Sequence, residues 1–225
     1  MRKFVLIILF VILASISSMG VGLAKSISDR KVDFPNDFPA LNLPSYPVTT
    51  DYGPWLQGTN SSLDITLSSV GSGYDVTDGV YPGWCIQDYV YWLTNSATLY
   101  SSYDQNMPPD LMGLPWNKIN YVLNNKQGEI TDVQIAIWML LGGEYTSLGP
   151  PTPAAQAMVD AANAHPDFVP GAGQIVAVTV YSDGMNPDPE SVQEVIIEVV
   201  VPSGLPLIEV VKTTDPVNVP EPGGV

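Results

Sequence analysis

The sequence predicts an α+β fold: a mostly antiparallel β-sandwich or barrel carrying a helical subdomain or insertion. Three observations predict it. Runs rich in β-branched and aromatic residues occur at residues 63–67, 85–93, 97–103, 174–181 and 192–201. Turn material rich in Gly, Asn, Asp and Ser separates several of them, as hairpins require. Between the early and late runs, from Pro115 to Pro166, lie three segments with helical spacing or helix-terminating residues.

The ends of the chain read differently from its centre. Met1-Arg2-Lys3, an apolar run over residues 4–16, and then Gly22-Leu23-Ala24 form the pattern of a secretory signal peptide over 1–24, with cleavage after Ala24. The apolar run is shorter than the ~20 residues that span a bilayer, and no cysteine follows it to carry a lipid. The expectation is a secreted or cell-surface protein. The formal net charge is −15, and removal of Arg2 and Lys3 makes the mature chain more acidic still, which argues against nucleic acid as a partner.

Residues 25–47 are rich in Pro, Asp, Ser and Asn and read as an extended leader, with Phe34, Phe38 and Tyr46 as aromatics that could pin it to the domain expected over 48–204. Residues 205–225 run from the strand-like Leu207-Ile208-Glu209-Val210-Val211 into Val219-Pro220-Glu221-Pro222-Gly223. That pattern resembles the opening of an immunoglobulin-like repeat found in tandem in prokaryotic surface proteins. The resemblance implies a longer C-terminal stalk that tethers the domain to the cell envelope; the plainer reading of 205–225 is a C-terminal tail.

Within the domain, Leu63-Asp64-Ile65-Thr66-Leu67 alternates as a half-buried strand does. Asn60-Ser61-Ser62 before it has the form of a glycosylation sequon. Asp75 to Gly79 has turn composition, and its two carboxylates are too few for a calcium loop. The run from Cys85 reads as a strand with Cys85, Gln87, Tyr89 and Tyr91 on one face and Ile86, Val90 and Trp92 on the other. Pro115 opens a short amphipathic helix with Trp116, Ile119 and Leu123 on its apolar face. Residues 133–141 are apolar on every side, so periodicity does not separate helix from strand; a Thr131 cap and the Gly142-Gly143 terminator favour helix. Thr152-Pro153 opens a third helix that His165-Pro166 stops. The runs 174–181 and 192–201 pair as a hairpin.

Chemistry centres on Cys85, the sole cysteine. In an exported chain an unmatched cysteine is buried, shared between molecules, or used for its reactivity. The proposed partner is Gln134, whose carboxamide would form an internal thioester with the Cys85 sulfur as ammonia leaves. Such a bond survives only where apolar walls exclude water, and Trp84, Ile86 and Trp138 are the expected pocket residues. The plainer reading of Gln134 is that it completes a capping box with Thr131 three residues earlier.

Trp84-Cys85-Ile86 together with Gln134-Ile135-Ala136-Ile137-Trp138 resembles the paired motifs of the thioester domains of Gram-positive-type bacterial surface adhesins. The resemblance covers roughly residues 50–200. It implies a sandwich with a helical subdomain, a Cys85–Gln134 thioester, and single-turnover covalent attachment to an amine such as a lysine on a target. Two alternatives stand beside it. A non-covalent binding or spacer module would keep Cys85 as a buried structural thiol. A cysteine hydrolase would need a base, and His165 is the sole histidine. No phosphate loop, dinucleotide fingerprint or metal-ligand spacing is present, so no cofactor or metal is expected.

Overall fold

The computed structural model describes residues 41–87, 95–143, 146–182 and 193–203. The expected signal peptide, most of the leader with Phe34 and Phe38, the tail from 205, and Tyr89 to Trp92 lie outside them. Six antiparallel strands close on themselves: β1 (Val48–Tyr52), β2 (Leu63–Ser68), β3 (Gly79–Cys85), β4 (Ser96–Ser101), β5 (Ile175–Ser182) and β6 (Val195–Val200), hydrogen-bonded in the order β1-β2-β3-β6-β5-β4 with β4 returning to β1. Three α-helices, α1 (Trp116–Asn124), α2 (Ile130–Leu141) and α3 (Pro153–Ala164), are inserted between β4 and β5. The protein is thus β-rich and antiparallel with a helical insertion, as the α+β reading expects.

Alternation along the strands divides the core in two. One set, including Leu63, Ile65, Leu67, Cys85, Val176, Val178, Val195 and Ile197, packs together as the barrel interior. Their neighbours Trp84, Ala177 and Ile196 belong to the other set, which the helices cover with Trp116, Ile119, Leu123, Ile135, Ile137 and Met158. β5 and β6 are consequently buried on both faces over most of their length.

Two sequence expectations are corrected. The strand at Cys85 ends there instead of beginning there: β3 occupies Gly79–Cys85, and Ile86 and Gln87 form a bend. β3 accommodates Pro82 because β6 pairs only with Gly83 to Cys85, so at Pro82 one side of β3 has no strand neighbour among the described residues and the missing N–H leaves no ladder bond unmade.

The second correction is the cap of α2. The helix starts at Ile130 with Glu129 at its N-cap, so Thr131 lies inside the first turn. Asp132 Oδ2 accepts the Glu129 N–H at 2.7 Å, and Asp132 Oδ1 accepts the Thr152 hydroxyl at 2.5 Å. A carboxylate in the first turn suits the positive end of the helix dipole, and this one also ties α2 to the start of α3, where Thr152 Oγ1 caps Ala155 N. At the other end Gly142 takes φ 73°, the left-handed conformation of a glycine C-cap.

The end of the leader is anchored. Asn42 N–H donates to Asp75 Oδ2 at 2.6 Å, Gly71 N–H donates to the Tyr46 hydroxyl at 2.8 Å, and the Tyr46 ring meets Tyr74 edge-on. Asp78 accepts from Val70 N–H. Asp75 and Asp78 therefore hold loops, and no metal-ligating cluster occurs among the described residues. Among the same residues no helix is long and apolar enough to cross a membrane.

Candidate functional site

Cys85 closes β3, paired with Val195 of β6, and its side chain joins the interior cluster with 4% exposure. Helix α2 meets the barrel here through Gln134 and Trp138. Val133, Ile135, Ala136 and Ile137 pack outward into the helical core, whereas Trp138 packs with Cys85 in the barrel cluster. Gln134 stands one turn before Trp138 on that face and is wholly buried.

The Gln134 carboxamide docks on the backbone of Cys85. Its Nε2 donates to the Cys85 carbonyl at 2.8 Å and its Oε1 accepts the Cys85 N–H at 3.0 Å. The Ser62 hydroxyl donates to the same Oε1 at 2.5 Å. These contacts fix which amide atom is which, because an exchanged amide would face an N–H with an NH₂ and a carbonyl with an oxygen. The sequence-predicted pair therefore lies side by side. The capping-box alternative does not hold for Gln134: the reciprocal contact at the helix start belongs to Glu129 and Asp132.

The predicted pocket residues divide. Trp138 shares the Cys85 cluster, and Trp55 of the β1–β2 loop stacks on it with ring centroids 6.0 Å apart and planes 27° apart. Trp55 is 40% exposed, so it covers Trp138 from the solvent side. Among the described residues, the buried Trp138 indole N–H has no hydrogen-bond partner. Trp84 and Ile86, sequence neighbours of the cysteine, point the other way into the helical core. The Trp84 indole donates to Glu198 Oε1 at 2.7 Å, and Lys126 Nζ meets the same carboxylate at 2.6 Å.

Sequence reasoning missed Ser62, Trp55, Tyr52 and Glu194. Burial pushes the Tyr52 phenol up to about 12; the Thr50 hydroxyl acts in the opposite sense, and Glu194 and Cys85 each add to the rise. Tyr52 is therefore neutral at physiological pH and offers no base to the thiol. Glu194 is itself buried and pairs through its backbone with Ile86 and Gln87. His165 is committed elsewhere, stacked on Tyr121 at 4.5 Å with its Nδ1 2.9 Å from the Ala161 carbonyl.

The loop that supplies Ser62 is closely tied. Gly53 N–H donates to the Asp64 carbonyl, Leu56 N–H to the Ser62 carbonyl, and Thr59 donates twice to the Asp64 carboxylate. Leu56 holds φ 58°, a left-handed conformation unusual for a branched side chain. Gly58 is packed so closely that a Cβ there would lie 2.6 Å from the Ser61 carbonyl oxygen. The sequon before Leu63 is half hidden: Asn60 is exposed, but the Ser62 hydroxyl is buried and engaged by Gln134.

No protein family, curated protein or solved structure matches this chain.

Proposed function

We propose that this protein is a covalent attachment module of the surface-adhesin thioester type, in which Cys85 and Gln134 form an internal thioester that a target amine opens. The observation that carries the reading is the wholly buried Gln134 carboxamide docked on the Cys85 backbone, in an apolar enclosure capped by Trp138 and Trp55. In bond formation the Cys85 sulfur attacks Gln134 Cδ, the C–N bond breaks, and the thiol hydrogen departs with the nitrogen as ammonia. In attachment an amine nitrogen attacks the same carbon, an amide forms, and the proton that the amine loses restores the thiol. Proximity supplies the driving term for the first step, and the lower basicity of a thiolate than of an amide anion makes sulfur the better leaving group in the second.

The partner is an amine-bearing surface ligand, such as a protein lysine. Secretion by the 1–24 signal and presentation on a C-terminal stalk complete the reading. Each molecule reacts once, so the module is not an enzyme.

One observation favours the non-covalent alternative. Asn124 docks on Ile175 in the same way, donating from Nδ2 to the Ile175 carbonyl at 2.7 Å and accepting its N–H at 2.8 Å, with no cysteine involved. An amide clipped to a strand can thus be purely structural. Gln134 differs in its cysteine partner and in the extra donor from Ser62.

Mass spectrometry of the intact mature protein decides between the two. The thioester reading expects a mass one ammonia below that of the sequence, lost in Cys85→Ala and Gln134→Ala, and a gain of one methylamine on amine treatment. A wild-type mass equal to the sequence mass, with a thiol that stays unreactive until denaturation, establishes the structural clip instead.

A further inference from the structure

Resting on the thioester reading, we propose that Ser62 is a catalytic residue of the bond, forming with the Cys85 N–H a two-donor oxyanion site for the Gln134 carbonyl. A buried hydroxyl is costly unless it is hydrogen-bonded, and Ser62 is wholly buried. Its hydrogen goes to Gln134 Oε1 at 2.5 Å, while Cys85 N–H reaches the same oxygen at 3.0 Å. Both lone pairs of that oxygen are therefore met by donors before any reaction begins.

Attack at Gln134 Cδ moves the carbonyl π electrons onto Oε1, so negative charge develops where the two hydrogens already point. Donors fixed in advance in a dry site need no reorganisation as that charge appears, which is why such sites contribute strongly to acyl transfer. The same oxygen bears the charge whether sulfur attacks the amide or an amine later attacks the thioester. Ser62 therefore assists both formation and opening, and the leaving group is ammonia in the first and the Cys85 thiolate in the second.

The surrounding loop holds the hydroxyl in place. Ser61 Oγ donates to the Leu63 carbonyl at 2.6 Å, and the Leu56 N–H grips the Ser62 carbonyl at 2.8 Å, so Ser62 enters β2 with little freedom. Asn124 on Ile175 is the internal contrast, since its amide oxygen receives the strand N–H and no described hydroxyl donates to it.

The test uses full-length secreted protein, read by intact mass, by methylamine opening kinetics and by the infrared carbonyl band of the thioester. In wild type the band should lie below that of a simple alkyl thioester in apolar solvent, because two donors lengthen the C=O bond. In Ser62→Ala with wild-type near-ultraviolet circular dichroism, the band should rise and methylamine opening should slow on the order of a hundredfold. Ser62→Thr, which keeps the hydroxyl, should react faster than its isostere Ser62→Val. A bonded wild type with an unshifted band, or a folded Ser62→Ala that opens at the wild-type rate, overturns the role of Ser62 and leaves the thioester standing. A wild type without the mass deficit overturns both. Should the substitutions prevent folding, the wild-type band position alone decides.

Discussion

Trp55 shows what a single side chain contributes at this site. It lies in the β1–β2 loop, 40% exposed, and stacks on Trp138, which packs with Cys85. An aromatic pair of this kind contributes about 1 kcal/mol beyond the area it buries, so the cover is stable but can be lifted. For a thioester the cover matters more as a barrier to water than as a source of stability. Trp55→Ala should therefore shorten the lifetime of the bond in amine-free buffer several-fold, followed as recovery of mass by hydrolysis over time, while lowering the melting temperature of the still-bonded protein by only a few degrees. An unchanged lifetime would show that Trp138 alone closes the site. Nothing in the sequence marked Trp55 as a site residue, and Ser62 was read only as part of a sequon, because their roles come from a loop folded back across β2, a contact between residues 72 apart in the case of Ser62 and Gln134. Cys85 and Gln134 were legible for the opposite reason: a sole cysteine and a glutamine in an otherwise apolar run are conspicuous without any structure.

At the scale of elements, periodicity identified β2, α1, α3 and the β5–β6 hairpin, because each carries its own signal in alternation, helical spacing or caps. It misplaced β3, where a proline is tolerated only because β6 stops short of it, a fact of pairing that no local pattern carries. It also misplaced the start of α2. Thr131 has the stronger intrinsic capping preference, but the helix begins two residues earlier because Asp132 satisfies both the Glu129 N–H and the Thr152 hydroxyl. That carboxylate is 7% exposed and joins the first turns of α2 and α3. Asp132→Ala should cost about 2 kcal/mol, by loss of the cap and by leaving the Glu129 N–H without a partner. Urea unfolding should show a lower midpoint at unchanged slope. Because α2 carries Gln134, the same variant should also lower the bonded fraction, and a variant that lost stability while bonding fully would show that the barrel end positions Gln134 without help from the cap.

For the whole molecule, the candidate bond joins the two halves of the core. Cys85 belongs to the barrel interior, and Gln134 belongs to helix α2, 49 residues further along the chain. Without the bond, this junction is held by the hydrogen bond that Gln134 donates, the two it accepts, and apolar packing around Trp138. With it, the unfolded chain must keep a closed loop that includes β4, α1 and the start of α2. In the chain-entropy account, a cross-link spanning a loop of this length stabilises the fold by about 4 kcal/mol. For a domain of this size each kcal/mol moves the melting temperature by about 2–4 °C. Opening the bond with methylamine should therefore lower the melting temperature on the order of 10 °C. The adduct leaves an extra methyl group in a closed pocket, which adds to the loss, so Gln134→Glu, which has no such group and no bond, gives the second reference. Cys85→Ser supplies the control, since it should melt at the lower temperature before treatment and show no further change with amine. Calorimetry of these three proteins, with and without methylamine, separates the two readings independently of mass. If the wild type and Cys85→Ser melt together and neither responds to amine, Gln134 is a strand clip like Asn124, and the barrel and helices are joined by hydrogen bonds and packing without a covalent link.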